Sequence, residues 1–186
     1  MNDKIYVLAG FSGTGKDTIA DILKEKHDFN FITSHTTRPM RDGESEGKPY
    51  WFITNEKFHE MNNNDEFIEY RSYNTKVNGK DDIWYYAAAK NEVKDGLKYV
   101  VVLDMLGLTE FKEAFGDRVI GIFIETPDEV REERAKERGS FDKTEWDRRL
   151  KDDRDNFQKE KINSECDYII QNINLNKAVS DILKIK

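Results

Sequence analysis

The apolar run Ile5-Tyr6-Val7-Leu8-Ala9 leads into Gly10-Phe11-Ser12-Gly13-Thr14-Gly15-Lys16-Asp17-Thr18, and Ile19, Ile22 and Leu23 follow at helical spacing. The order is strand, glycine loop, helix. Three glycines let backbone N–H groups converge on a phosphate without side-chain clash, and the helix N-terminus adds a favourable dipole. Lys16 supplies a mobile cation. The stretch fits the phosphate-loop pattern G-x-x-x-x-G-K-[ST] except at its last place, where Asp17 replaces the hydroxyl residue and Thr18 comes one position late. Gly10, Ser12, Gly13, Thr14, Gly15, Lys16, Asp17 and Thr18 are therefore candidates for binding nucleotide phosphates and an accompanying magnesium ion. Asp17 either ligates that ion, directly or through water, or favours the helix N-terminus. Its charge beside a triphosphate leaves part of the metal role to Thr18. The plain alternative is a glycine turn that only joins strand to helix; the flanking elements argue against it.

A chain of 186 residues is long enough for one substantial core, with room for an insertion. Its net charge of -7 predicts a surface that repels nucleic acid, so basicity for a phosphorylated ligand must be local. No stretch approaches the roughly 18 apolar residues of a membrane span, and the N-terminus lacks a secretory hydrophobic core. A cytoplasmic protein with no membrane partner is expected. Cys166 is the only cysteine, which excludes an internal disulfide and a thiolate metal cluster and suggests a packing role. His27, His35 and His59 lack metal-ligand spacing.

Beyond the first helix, which should fade near Lys26, Phe29 to Thr33 reads as a strand that delivers Ser34 to its end. A hydroxyl-rich, cationic loop follows. There Arg38 and Arg41 can form fork-shaped bonds to phosphate oxygens, and Tyr50 adds a neutral donor. The competing reading pairs these arginines with Asp42, Glu44 or Glu46, at about 0–1 kcal/mol per surface pair.

The run Ser34-His35-Thr36-Thr37-Arg38-Pro39-Met40-Arg41-Asp42-Gly43-Glu44, with Gly47, Tyr50 and Phe52, closely resembles the S-x-T-T-R-x-x-R-x-G-E and G-x-x-Y-x-F motifs of the guanylate kinase family. The resemblance covers nearly the whole chain. Phe67-Ile68-Glu69-Tyr70 is similar to the family's F-[IL]-E-[YW] strand, which implies that Glu69 recognises guanine. A carboxylate accepts hydrogen bonds only, which suits the N1–H and N2 amino donors of guanine. A strand residue facing water is the alternative for Glu69. Where the family has G-N-Y-Y-G-[ST], this chain has a longer hairpin over 74–84 and then Tyr85-Tyr86-Ala87-Ala88. Tyr86 matches the family's phosphate-contacting tyrosine, but Ala88 replaces a hydroxyl residue that helps hold guanine. Losing one such bond costs about 0.5–1.5 kcal/mol, and Thr75 in the longer hairpin is a candidate to compensate.

Residues 87–95 have helical composition and stop at Gly96. Tyr99 to Leu103 reads as a buried parallel strand presenting Asp104, and Asp104-Met105-Leu106-Gly107 resembles the family's D-[IM]-x-G, which implies a contact on the guanine side; an N-cap is the alternative. Val102 stands where the family often has another acid. Thr126-Pro127-Asp128-Glu129 predicts a capped helix start with Thr126 as cap. Arg134 and Arg138 share the next helical face and fit the family's R-x-x-x-R-G, while Arg149, favoured over Arg148, follows in a second charged helix running to about Lys161. The resemblance implies that these are lid arginines. Otherwise Arg134 forms an ordinary helix salt bridge. Asp167 to Asn172 resembles the closing strand, with Asn172 near ATP, and Leu175, Ala178, Val179, Ile182 and Leu183 form an amphipathic end.

The expected fold is α/β: a P-loop NTPase-type parallel sheet flanked by helices, with an inserted small mixed β/α nucleotide-monophosphate-binding region and a helical lid. Within a single domain spanning 1–186, residues 1–34, 90–137 and 156–186 form the core, 35–89 the GMP-binding region and 138–155 the lid. The implied activity is phosphoryl transfer from ATP to GMP or dGMP with magnesium, in a monomer or homodimer. Lys16, Arg38, Arg134, Arg138 and Arg149 are the catalytic candidates, and Ser34, Arg38, Arg41, Tyr50, Glu69, Tyr86 and Asp104 the GMP-binding ones. The rivals are a nucleoside monophosphate kinase of altered base choice, motivated by Ala88, and a non-catalytic binding module, motivated by Asp17 and Val102.

Overall fold

The computed structural model describes residues 3–41, 43–48, 50–77, 80–137 and 141–185. In chain order the first elements are β1 (Ile5–Ala9), α1 (Lys16–Lys26), β2 (Asn30–Phe31), β3 (His35–Thr36), β4 (Trp51–Phe52), α2 (Asn55–Asn63), β5 (Phe67–Val77) and β6 (Lys80–Ala89). There follow β7 (Tyr99–Val102), α3 (Met105–Phe115), β8 (Val119–Glu125), α4 (Asp128–Glu137), α5 (Lys143–Asn156), α6 (Lys159–Glu165), β9 (Tyr168–Gln171) and α7 (Leu175–Leu183). They fall into two compact units, one built from the chain up to Phe31 and from Gly96 onward, the other from Ile32 to Asp95.

The first unit is an all-parallel sheet in the order β2-β7-β1-β8-β9. A parallel strand covered on both faces needs apolar side chains on both, which is why β1 reads as an unbroken apolar run and every one of its residues is buried. On one face α1 and α7 pack Ile19, Leu23, Ala178, Val179 and Ile182 against Leu8, Val100, Ile122 and Ile124. Burial of each large aliphatic side chain contributes about 1.5–3 kcal/mol. Beyond the other face, a Cβ on Gly121 would lie 2.7 Å from the Glu165 carbonyl and 2.9 Å from Leu108, so β8 admits α3 and the end of α6 only because that position has no side chain.

The second unit is a mixed four-stranded sheet, β4-β3-β6-β5, in which β3 and β4 run parallel and the long β5–β6 hairpin is antiparallel. Thr54 caps α2, accepting from the Lys57 N–H at 3.1 Å. Phe58 of α2 stacks on Tyr85 and Phe67 at centroid distances of 4.1 and 5.2 Å, closing a small core with Met61, Ala87 and Ala89.

Tertiary contacts override local preference at four places. Residues 87–89 belong to strand β6, not to a helix over 87–95, and only Lys90–Glu92 make a 3-10 turn. The three alanines are 0–1% exposed and pair with β5, so burial on a sheet outweighs alanine's helix propensity. The strand expected over Phe29 to Thr33 shrinks to Asn30–Phe31, because the chain leaves the sheet for the second unit at Ile32. The charged helix does not run unbroken to Lys161. It stops at Asn156, where buried Phe157 turns in to meet Phe11 and Phe123 at 5.6 and 5.8 Å, and resumes at Lys159. Finally, α4 begins at Asp128, and the Thr126 hydroxyl lies 3.3 and 3.5 Å from the carbonyl oxygens of Asn172 and Thr14.

His35 of β3 is half-buried, and its Nδ1 has no hydrogen-bond partner among the described residues. Burial lowers its pKa from the ordinary 6.5, against an opposing pull from Glu92, Glu66 and Glu46. The unfolded chain therefore takes up this proton at higher pH than the folded one. The stability linked to His35 is fully present above pH 6.5 and is lost progressively as pH falls from there toward the folded value. Between pH 7 and 5 the denaturation midpoint of His35→Asn should fall less steeply than that of the parent; equal slopes would remove His35 from the account.

Candidate functional site

In the first unit the connections leaving β1 and β7 run to opposite sides of the sheet, so the C-terminal end of β1 is the point where a parallel sheet opens a crevice. The glycine loop starts there. Gly10 has φ 149°, and a Cβ on it would lie 2.5 Å from the Ile124 carbonyl of β8, so the loop leaves the sheet through a gap that admits only glycine. Gly15, at φ 84°, forms the left-handed cap of α1. Lys16 Nζ donates to the carbonyls of Gly10 at 2.6 Å and Phe11 at 2.9 Å, which holds the ammonium group over the loop.

A network behind the loop fixes its shape. Asp153 of α5, buried, accepts from the Ser12 N–H at 2.8 Å and from the Ser12 hydroxyl at 3.1 Å. Arg131 of α4, 2% exposed, donates to the Ser12 carbonyl at 3.0 Å and to Asp153 at 3.3 Å, and its other amino group donates to Asp128 at 2.7 Å. Its guanidinium lies 4.9 Å from the centre of the Phe11 ring and 5.9 Å from that of Trp146. Phe11 itself meets Phe123 at 5.5 Å. From the other side, buried Asn172 donates its side-chain amide to the Thr14 carbonyl at 2.7 Å. Asn172 is thus a clamp on the loop.

Neither Arg131 nor Asp153 stands out in the sequence, where both sit in charged helices. The signal lay in spacing: Trp146, Leu150, Asp153 and Phe157 follow one helical stripe, so Asp153 occupies a place that otherwise faces the core.

Arg134 donates to the carbonyls of Asn172 at 3.0 Å and Ile173 at 3.3 Å, and with Gly15, Thr18, Glu137, Asn172 and Leu175 it lines a cleft beside the start of α1. Asp17 and Thr18 are both exposed in the first turn of α1. Arg149 is exposed on α5, and Arg148 forms a salt bridge to Asp152 at 2.5 Å. Arg138 lies outside the described residues. Asp104 caps α3, accepting from the Gly107 N–H at 2.7 Å.

The second unit gathers a different set. Arg38, 4% exposed, forms a two-pronged pair with Glu44 at 2.8 and 3.0 Å and sits 5.6 Å from the Tyr50 ring and 5.5 Å from the Phe52 ring. Glu44 and a hydrogen bond with Tyr86 raise the Arg38 pKa, and the same pairing with Arg38 lowers that of Glu44. Tyr50 and Tyr86 meet edge to face at 5.4 Å, and burial raises the Tyr50 pKa. The pairing with Glu44 expected as a competing role for Arg38 is present, and on the buried Arg38 it fixes the cation next to the two tyrosines. Arg41 is exposed, and its N–H donates to Glu44 at 2.7 Å. Ser34 is half-buried just before β3. Glu69, 9% exposed, stands directly across from Ala88, and Arg71 directly across from Tyr86. Alternation along a strand puts Glu69, Arg71, Tyr86 and Ala88 on one face of the sheet.

A glycine loop at the reversal point of a parallel sheet, with a lysine folded over it, defines a P-loop mononucleotide-binding α/β protein. The family model described as guanylate kinase matches residues 2–185. Guanylate kinase of Fusobacterium nucleatum is 31% identical over 97% of this chain and 94% of its own length, and that of Wolinella succinogenes 35% identical over 97% and 82%. The crystal structure of guanylate kinase from Anaplasma phagocytophilum superposes with a TM-score of 0.62 at 28% identity, over 98% of this chain and 83% of that one. A gluconokinase from Sinorhizobium meliloti, at 13% identity and a TM-score of 0.53 over 97% and 90% of the two chains, shares the fold alone. The chain belongs to the guanylate kinase family. Membership makes it an enzyme, a nucleotide kinase, and sets aside the reading as a non-catalytic module.

Removing one member of the buried pair strands the other charge, which typically costs about 3–5 kcal/mol, whereas an apolar replacement of both is often close to neutral. Arg131→Leu and Asp153→Ala should each lower the denaturation midpoint sharply, and the double variant should recover most of the loss. A double variant as unstable as the two losses added together would mean that the pair is not a unit.

Proposed function

We propose that the chain transfers the γ-phosphoryl group of ATP to GMP or dGMP, giving ADP and GDP or dGDP. The observation that carries this reading is the sheet face that holds Glu69 and Tyr86, with Tyr50 and Arg38 against Tyr86, which offers a buried carboxylate for the guanine donors and a fixed cation with two phenols for a monophosphate. Arg41 adds a second cation at the phosphate end, and Ser34, in the same unit, adds a base contact. The loop amides and Lys16 hold the ATP phosphates. The cleft lined by Arg134 and Asn172 takes the rest of that nucleotide.

An oxygen of the acceptor monophosphate attacks the γ-phosphorus directly, a new P–O bond forms, and the bond to the β-phosphate oxygen breaks to release ADP. No protein nucleophile takes part. Lys16, Arg134, Arg138 and Arg149 offset the charge on the moving group and on the leaving diphosphate. Among the described residues no three His, Cys, Asp or Glu side chains group to hold a metal ion, and the exposed oxygens of Asp17 and Thr18 beside the loop suit magnesium, which keeps most of its ligands as water and phosphate. Asp17 and Thr18 are the residues that would hold it. Bound there, magnesium supplies charge neutralisation across the phosphates. Every proposed contact comes from one chain, so either a monomer or a homodimer can act. Among the described residues no helix is long and apolar enough to cross a membrane, and a cytoplasmic enzyme of purine nucleotide metabolism is the setting this reading implies.

A kinase of altered base choice is the second reading, favoured by Ala88 across from Glu69. ADP formation from ATP and magnesium with GMP, dGMP, AMP, CMP and UMP separates the two. GMP and dGMP should dominate, and Lys16→Ala should lower kcat by about 10²- to 10³-fold, as expected for loss of a preorganised charge at the transferring group. Turnover of another base at an equal rate would overturn the first reading.

A further inference from the structure

Guanine presents four groups along one side: the N2 amino group and N1–H donate, and O6 and N7 accept. Glu69 can serve only the donors. A single side chain that reads O6 and N7 together beside Glu69 is a donor on the same face, with more than the one O–H that Ser34 or Thr75 carries. The position directly across the hairpin is Ala88, which has no polar side-chain atom and is 1% exposed. The next residue on that face of β5 is Arg71. Its Nη1 lies 3.3 Å from Glu69 Oε2 and donates to the Tyr70 carbonyl at 2.7 Å, so the guanidinium is fixed beside the carboxylate. The Arg71 side chain keeps 22% of its surface exposed against 8% for Glu69, placing the arginine at the accessible end of the pair.

We propose that Arg71 is a specificity-determining residue: its guanidinium donates to O6 and N7 of the acceptor guanine while Glu69 accepts from N1–H and the N2 amino group. This assignment rests on the reading that the face carrying Glu69 takes the acceptor base. The fork of an arginine matches the O6/N7 pair, and the carboxylate alongside keeps the reader close to neutral. Adenine meets two mismatches on this pair, because its N6 amino group points donors at Arg71 and its unprotonated N1 points a lone pair at Glu69. The acceptor monophosphate is already provided for by Arg38 and Arg41, and the Arg71 guanidinium is anchored at Glu69.

Calorimetric binding of GMP, 7-deaza-GMP, 6-thio-GMP and guanosine to the parent and to Arg71→Met, which keeps the apolar stem, tests the assignment. Near-ultraviolet circular dichroism establishes that the variant is folded, and Arg71→Lys, which keeps the charge without the fork, is measured beside it. The parent should bind GMP several-fold more tightly than either analogue. Arg71→Met should weaken GMP by about 10- to 100-fold, the range for loss of a bidentate base contact, and bind all three nucleotides within about two-fold of one another. Arg71→Lys should recover only part of the preference. An unchanged ratio of GMP to its analogues in Arg71→Met would reduce Arg71 to a support for Glu69, and a loss of the preference for GMP over guanosine would move it to the phosphate; either result overturns the proposal. Binding is read without turnover, so GMP bound but not phosphorylated would sink the kinase reading and leave Arg71 in place, whereas turnover with unchanged ratios would do the reverse.

Discussion

The approach of Gly10 to the Ile124 carbonyl governs the first unit. β1 is the middle strand of a parallel sheet and is buried throughout, so the chain that leaves its end has to pass the neighbouring strand before it can turn. Without a side chain at residue 10 it passes, and the amides that follow are delivered to the crevice. What then keeps so glycine-rich a loop in one shape is charge from two later helices and aromatic surface from β8 and from Phe157, just past α5. Arg131 and Asp153 hold Ser12 from behind, Phe11 is wedged among Phe123 and Phe157, and Asn172 draws in Thr14. The loop's rigidity is imported from residues more than a hundred positions away.

The second unit solves a related problem by other means. Its sheet is small, and its core is largely aromatic and alanine. Burying Arg38 there is tolerable because Glu44 meets it with both oxygens and two rings cover it. A cation held so firmly would need little further ordering to take the monophosphate proposed for it, which is the physical content of preorganisation.

The glycine loop, the parallel strands and the amphipathic last helix were readable because each is dictated by nearest neighbours in sequence: glycines at fixed spacing, unbroken apolar runs, a 3.6-residue stripe. Residues 87–89 read as helix because alanine carries no signature of a sheet, and only the pairing with the opposite strand shows that these positions are buried in one. The break at Phe157 was hidden for a similar reason, since the rings that draw it inward belong to Phe11 and Phe123. Arg131 and Asp153 escaped because a charged residue in a charged helix looks solvated until its partner is known. Arg71 escaped because the cross-strand register that sets Ala88 opposite Glu69 is not written in either strand alone.

The interrupted layout of the first unit has a consequence for how the chain comes together. Ile5 pairs with Tyr99 and with Val119, so the first strand has no partner until most of the polypeptide is available. The second unit is continuous from Ile32 to Asp95, and its hairpin closes between Val77 and Lys80. Contacts of short sequence separation form early and those of long separation late. The sheet of the second unit therefore needs only residues 32–95, while β1 and the glycine loop wait as an apolar segment in need of shelter, the state in which a nascent chain is most exposed to aggregation.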